Sequence, residues 1–170
     1  IVSEASQELV PVLEELVRQA AQGRLMHNDD TSMRVIELRK EIDRLEKAGK
    51  TDRTGIFSSS IVSELSDGHR IALFFTGRKH AGENIADLLR HRASGLAPPM
   101  QMCDGLDRNL PKEFRTVLAN CLAHGRRKFV EVVDGFPAEC RFVLETLRDV
   151  YCNDASARER RLSAVERLSY

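Results

Sequence analysis

The sequence predicts a mixed α/β domain in which helices flank a central sheet. Short apolar runs bounded by turn residues are typical of strands, and they alternate with stretches whose apolar residues recur every three or four positions, as in helices. The 170 residues, 42% of them hydrophobic, suffice for one domain with its own core. Lys plus Arg equals Asp plus Glu at 26 each, which excludes a general basic field for nucleic acid, so any such contact must be local.

The amino-terminal third predicts a helix, a strand and a charged helix. Apolar residues at helical spacing predict a helix over 2–22, and Gly23 ends it. Residues 24–26 and 32–36 are predicted to be extended, which puts Asp29 and Asp30 on or beside a first strand. The densely charged segment 37–50 predicts a short helical insertion, solvated on most sides.

The rest of the chain predicts a hairpin, a helix, a short strand and two further helices. Runs over 54–63 and 70–76 flank the turn residues Ser66-Asp67-Gly68 and form the hairpin. Pro98-Pro99 separates a helix from a buried strand, and Asp104 follows that strand. The remaining predictions are a helix over 82–92, a strand over 100–103, a strand or a helix end over 114–119, and helices over 122–133 and 139–151.

This order favours a ribonuclease-H-like fold, with an amino-terminal helix over 1–23, the core over 24–135 and a helical segment over 136–170. In that fold the first strand lies beside the strand after the helix, so Asp29 and Asp104 would meet. Two adjacent carboxylates repel unless a cation lies between them or one is protonated. Mg²⁺, or Mn²⁺ in its place, is the expected cation. Aspartates beside Gly or Thr are also common turn and cap residues, and only one of Asp29 and Asp30 can face the site.

Two acidic segments carry these aspartates, His27-Asn28-Asp29-Asp30-Thr31 and Gln101-Met102-Cys103-Asp104-Gly105. A polar and basic string follows the second of them, Cys121-Leu122-Ala123-His124-Gly125-Arg126-Arg127-Lys128. Its three cations predict a phosphate-binding cluster, or else an ordinary solvated helix face. Zinc is not expected, because a structural site needs four ligands and Cys121 and His124 have no second pair.

Four cysteines without a C-x-x-C pair, no signal peptide and no run of eighteen apolar residues indicate a protein of the reducing cytoplasm with no membrane partner. A chain that begins at Ile1 and stops at Tyr170 in a helix-like stretch is interpreted as a piece of a longer protein.

Six segments carry a family resemblance: MHNDDTSMRV, DRTGIFSSS, RIALFFTGRKHAGEN, PPMQMCDGL, NCLAHGRRKF and FPAECRFVLETLRDVY. In this order they resemble the central region of insertion sequence 66 family transposases, over nearly the whole chain from Gly23. The resemblance implies a ribonuclease-H-like catalytic domain whose Asp, Asp, Glu triad binds two divalent metal ions, usually magnesium.

The family's His-x-Asp-Asp-Thr motif implies that Asp29 is the first acid, and its Gln-x-x-Asp-Gly element implies that Asp104 is the second. The chain departs from the family at two points. Met102 and Cys103 stand where many relatives have fewer residues, and Leu106 replaces a tyrosine that is frequent in the family. The third acid belongs to an Asn-Asn-x-x-Glu-Arg element that does not occur in this sequence. The acids Glu139, Glu145 and Asp154 lie in no such motif.

The resemblance implies a parent enzyme that cleaves DNA at transposon ends and transfers the freed 3′ hydroxyl to target DNA, as a homo-oligomer in its active assembly. His124, Arg126, Arg127 and Lys128 would contact DNA, by analogy with transposases that carry a Cys-x-x-His element here. One alternative is a non-catalytic DNA-binding or assembly remnant of a truncated transposase. The other is a resolvase-like nuclease on the same fold.

Overall fold

The structure is a computed structural model that describes residues 6–33, 35–49 and 55–170. The chain divides into two compact units, Ile1–Asn120 and Cys121–Tyr170. No helix in the described ranges is both long and apolar enough to cross a membrane. In chain order the elements are α1 (Val10–Ala20), β1 (Leu25–Ser32), α2 (Ile36–Lys47), β2 (Phe57–Glu64), β3 (Arg70–Gly77), α3 (Ala81–Leu89), β4 (Met100–Cys103), a 3-10 turn (Asp107–Asn109), β5 (Val117–Asn120), α4 (Leu122–Glu131), α5 (Pro137–Glu159) and α6 (Ala164–Ser169).

The first unit contains a five-stranded mixed sheet in the order β3-β2-β1-β4-β5. Strands β1, β2 and β3 pair antiparallel, whereas β4 pairs parallel with both β1 and β5. The mixed α/β class with a central sheet flanked by helices is therefore confirmed. The strand order is consistent with a ribonuclease-H-like fold.

Helices α1 and α3 contact the sheet and each other. Side chains alternate along a strand, and the inward-facing residues of β1, β2 and β3 meet apolar residues of both helices. The hydroxyl of Ser63 on β2 also donates to the carbonyl of Ala20 at 2.6 Å, which fastens the end of α1 to the sheet. The buried cluster consists of Ala20, Ala21, Met26, Ile61, Leu73, Ile85, Leu88 and Leu89.

The corner where β1 begins carries an ion-pair cluster around Glu64, the last residue of β2. Its carboxylate lies 2.6 Å from Arg24 Nη2 and 2.9 Å from Arg70 Nη2. Hydrogen bonds from Arg70 and Arg24 hold the pKa of Glu64 below its ordinary value, because they stabilise the charged form. Three neighbouring strands are thus joined electrostatically at one corner of the sheet.

Several predicted bounds need correction. Strand β1 is continuous through the polar residues His27 to Ser32, and α2 begins at Ile36, a residue predicted to be extended. Helix α3 ends at Leu89, earlier than expected. Strand β4 matches its prediction at both ends, and β5 resolves the strand-or-helix choice in favour of a strand. The parts of the predictions that fall on 2–5, 34, 50 and 54 lie outside the described residues.

The second unit is helical, as expected, and α4 packs against α5. Helix α5 is longer than predicted, since it starts at Pro137 and continues to Glu159. Helix α6 lies within the predicted helical segment 136–170 but was not predicted as a separate helix. At its start the Ser163 hydroxyl accepts from the Glu166 N–H, and the Glu166 carboxylate accepts from the Ser163 N–H. The predicted division of the chain into an amino-terminal helix, a core and a helical segment, with boundaries at residues 23 and 135, stays a prediction.

Candidate functional site

The two aspartates singled out from the sequence belong to adjacent parallel strands: Asp29 lies within β1, and Asp104 directly follows β4. The β1–β4 ladder pairs Leu25 with Met100 and His27 with Met102. The ladder ends at this last pair, and the two aspartates lie two residues beyond it in each chain segment. The predicted adjacency of the two strands is therefore confirmed.

Asp29 and Asp30 are separated by the pleat of β1. Asp29 is exposed, whereas the Asp30 side chain is only 2% exposed. One carboxylate oxygen of Asp30 accepts from the Ser59 hydroxyl at 2.6 Å, and the other lies 2.9 Å from Nδ1 of His80. Because both its oxygens are engaged inside the first unit, Asp30 serves the fold, and Asp29 is the strand's accessible acid.

The buried surroundings of Asp30 extend to helix α3. Asn84 donates from Nδ2 to the Ser59 hydroxyl oxygen at 2.9 Å, and the His80 ring lies 4.1 Å from the Phe57 ring, centre to centre. The backbone N–H of His80 donates to the Glu83 carboxylate at the start of α3. These contacts fix the end of β1 against β2 and α3.

Asp104 lies just past β4 and is half-buried. Its Oδ1 accepts two hydrogen bonds, from Nδ2 of Asn109 at 2.6 Å and from the backbone N–H of Leu106 at 3.0 Å. Gly105 allows the sharp turn between them, because its φ of 79° is a conformation that side chains disfavour. The carboxylate is therefore held by the loop that follows it.

Sequence reasoning missed the buried polar residues behind Asp104. Gln101 Nε2 donates both to the Asn28 side-chain oxygen at 2.9 Å and to the Asn109 carbonyl at 2.8 Å. Asn28 Nδ2 donates to the same carbonyl, and the Thr116 hydroxyl donates to Gln101 Oε1. The sequence did contain an indication: Gln101 interrupts the apolar run of a short buried strand, and a buried amide requires a partner.

The acids considered as a third ligand lie on α5 in the second unit. Glu145 lies 3.3 Å from Arg141, and Asp154 is paired with Arg158 at 2.6 Å and Arg167 at 2.9 Å. Glu139, in the first turn of the same helix, is exposed. Among residues 6–33, 35–49 and 55–170, no group of three or more His, Cys, Asp and Glu side chains is arranged to hold a metal ion.

The predicted DNA-binding residues lie on α4. Arg126, Arg127 and Lys128 are exposed, and His124 is half-buried. Lys128 lies 2.9 Å from Glu131, an exposed pair one turn away. Arg126 also borders a shallow groove within the second unit, whose other lining residues are Leu144, Leu147, Arg148, Tyr151, Cys152 and Ala155.

Comparison with known proteins gave one result. Neither a curated protein nor a solved structure matched the chain. The model of the Transposase IS66 family matches residues 1–170, the whole length, as the six quoted segments had suggested. On this match, together with the sheet that joins the two acidic segments, the chain belongs to the IS66 family of transposases.

Proposed function

We propose that this chain carries Asp29 and Asp104 as two metal-binding carboxylates of a DDE-type DNA transposase. The reaction is metal-dependent DNA strand cleavage and strand transfer in the transposition of a bacterial insertion sequence. The family supports the substrate class, DNA. The observation that supports the two residues is the parallel pairing of β1 with β4, whose last pair, His27 with Met102, lies two residues before the two aspartates.

The donor set fits a magnesium ion. Mg²⁺ prefers oxygen ligands and is usually bound by one or two carboxylates, with water and phosphate oxygens in its other positions. Asp29 is exposed, and Asp104 has only its Oδ1 engaged by hydrogen bonds. Once bound, the ion would supply charge stabilisation at the reacting phosphate. The two carboxylates act as ligands and not as general bases.

The exposed cations of α4 are proposed to bind the DNA backbone. Arg126, Arg127 and Lys128 occupy consecutive positions of α4, so their side chains point in different directions and would reach different phosphates. Contacts of this kind position DNA but do not read its sequence.

Manganese binding tests the proposal, because Mn²⁺ replaces Mg²⁺ in such sites and its free concentration is read from its paramagnetic resonance spectrum. We expect the 170-residue chain to bind Mn²⁺ and Asp29→Asn or Asp104→Asn to bind it much more weakly. Asp107→Asn is the matched control, since Asp107 lies in the next turn and is exposed. Equal affinity in all four proteins would exclude a site at Asp29 and Asp104.

The alternative, a non-catalytic DNA-binding or assembly remnant, is favoured by the exposed basic helix and by the engagement of Glu145 and Asp154 with arginines of their own unit. A nicking assay with supercoiled DNA and Mn²⁺ separates the two functions. We expect the isolated chain to bind DNA without nicking it, because phosphoryl transfer needs the complete set of charges. Nicking that is lost in Asp29→Asn would exclude the remnant and would show that an acid within the chain completes the site.

A further inference from the structure

We propose that Asn109 is a positioning residue for Asp104 and that a buried amide relay of Asn28, Gln101 and Asn109 determines which carboxylate oxygen is presented to the metal. The inference rests on the proposed function of Asp104. Asn109 lies in the 3-10 turn, and Asn28 and Gln101 lie in β1 and β4.

The hydrogen bonds of Asp104 are one-sided. Both donors, the Asn109 amide and the Leu106 N–H, bind Oδ1, and Oδ2 accepts no hydrogen bond from the described part of the chain. A carboxylate held by one oxygen cannot rotate freely about its last bond. Oδ2 is therefore the oxygen available for a metal ion, and a single-oxygen contact is the expected mode.

Asn109 is itself immobilised. It is fully buried, and its backbone carbonyl accepts from both Asn28 Nδ2 and Gln101 Nε2. Gln101, also fully buried, is oriented in turn because its own oxygen accepts from Thr116. The relay thus joins β1, β4, the 3-10 turn and the residue before β5, and it ends on the Asp104 carboxylate.

The backbone approach of α3 closes the other side of the turn. A Cβ atom at Gly82 would lie 2.4 Å from the carbonyl oxygen of Leu110 and 2.7 Å from that of Arg108. Only glycine permits this approach, and the 3-10 turn is consequently wedged between α3 and the sheet. Asn109, in this turn, is fully buried.

The side-chain amide of Asn109 has a defined orientation, with its nitrogen toward Asp104. Oδ1 of Asn109 is buried without a hydrogen-bond partner in the described part of the chain. The opposite amide orientation would point that oxygen at the Asp104 carboxylate and lose the 2.6 Å hydrogen bond. The 2.6 Å hydrogen bond to Asp104 therefore determines the orientation of the Asn109 amide.

The test is the Mn²⁺ dissociation constant, measured by paramagnetic resonance on folded protein well below each melting temperature. Residues that hold a metal ligand in place typically contribute 10- to 100-fold in affinity, so Asn109→Ala should raise the Kd about 10-fold. Asn109→Ala keeps the backbone carbonyl, so Asn28 and Gln101 retain their acceptor. Ser63→Ala is the matched control: it also removes one hydrogen bond of a fully buried side chain, to Ala20, at the other end of β1, and its Kd should not change.

Two further variants make the outcomes distinct. Gln101→Met removes the relay's central donor with little change in volume and should also weaken binding, which keeps the test valid if Asn109→Ala does not fold. If Asp104→Asn weakens binding while Asn109→Ala and Gln101→Met match wild type, the positioning inference is wrong and the metal site stands. If wild type does not bind Mn²⁺, or Asp104→Asn binds like wild type, the proposed function fails and the inference fails with it.

Discussion

The carboxylate of Asp30 lies 2.9 Å from Nδ1 of His80, fifty positions further along the chain. The neighbouring Asp29 is exposed on β1, so two consecutive aspartates have different roles. Asp30 joins β1 to the segment that precedes α3, and Asp29 is exposed to solvent. This difference gives the first prediction.

Asp30→Ala should destabilise the protein by about 2 kcal/mol, because the half-buried His80 ring loses its hydrogen bond to a carboxylate that is almost fully buried. The Ser59 hydroxyl would lose its acceptor as well. Asp29→Ala, the matched control on the same strand, should cost less than about 1 kcal/mol, as is usual for exposed positions. Urea unfolding in buffer with a chelator measures both values without any contribution from bound metal. A similar loss of unfolding free energy in the two variants would contradict the conclusion that Asp30 faces the interior and Asp29 faces the solvent.

Acid stability should depend on Glu64. Its pKa is lower in the folded protein than in the unfolded chain, where the ordinary value of 4.5 applies, because Arg70 and Arg24 stabilise the carboxylate. Folded Glu64 therefore adds stability that is fully present above pH 4.5 and is lost as the pH falls through its folded pKa. Glu64→Gln should lower the melting temperature at neutral pH and lose less on acidification than wild type does.

The comparison for Glu64 is a melting curve at each pH from neutral to strongly acidic, with Glu46→Gln as control. Glu46 is exposed on α2 and has no ion pair within the described ranges. If the wild type and Glu64→Gln curves run parallel over the whole range, the ion-pair cluster does not contribute to acid stability.

Two helical glycines should respond to alanine with opposite signs. Gly82→Ala forces a side-chain carbon against the carbonyls of Leu110 and Arg108, and overpacking of this kind typically costs about 1–3 kcal/mol. At Gly125 on α4 an added Cβ meets nothing within 4 Å, so alanine should stabilise by up to about 1 kcal/mol through helix propensity. Thermal unfolding of the two variants measures this difference. A neutral Gly82→Ala would mean that α3 and the turn can move apart.

DNA binding should be weak and should depend on salt through three cations. With Arg126, Arg127 and Lys128 each neutralising one phosphate, the logarithmic salt slope on duplex DNA should be about −3, from about 0.9 per phosphate. Alanine at all three positions should flatten the slope and leave the melting temperature nearly unchanged, because exposed cations contribute little to stability. Glu131→Gln, which releases Lys128 from its pair, should tighten binding slightly.

A salt titration of binding to a labelled duplex, with wild type and the triple variant side by side, checks this prediction. Equal slopes for the two proteins would show that the contact lies elsewhere. The next candidates are Arg158, Arg160 and Arg161 near the end of α5.

The sequence predicted those parts of the fold that local pattern determines. Pro98-Pro99 and Asp104-Gly105 bracket β4, and its predicted bounds were correct. The polar stretch of β1 was not recognised as strand, because Asn28 and Asp30 are buried through partners such as Gln101 and His80 that are remote in sequence. Because side chains alternate along a strand, the sequence predicts that Asp29 and Asp30 face opposite sides of the sheet. Which of them faces the interior is known only from the contacts of Asp30 in the structure.

The same limit applies to the candidate site. The two acidic segments were visible as motifs, whereas the contact of Asn109 with Asp104 was not. Asn109 lies in a 3-10 turn without apolar periodicity, and its importance follows from burial between α3 and the sheet. Short turns of this kind depend on tertiary packing, so sequence pattern has little to say about them.

The order of the strands also bears on how the protein folds. Strands β1, β2 and β3 pair with their neighbours in sequence, whereas β2, β3 and α3 lie between β1 and β4 along the chain. Parallel pairings of this kind close a long loop, and the loss of chain entropy makes them slow compared with hairpins. We therefore expect Asp29 to be in place on a folded meander before Asp104 arrives beside it. A nascent chain would carry half of the candidate site, unable to hold a metal ion by both aspartates, until β4 has been added to the sheet.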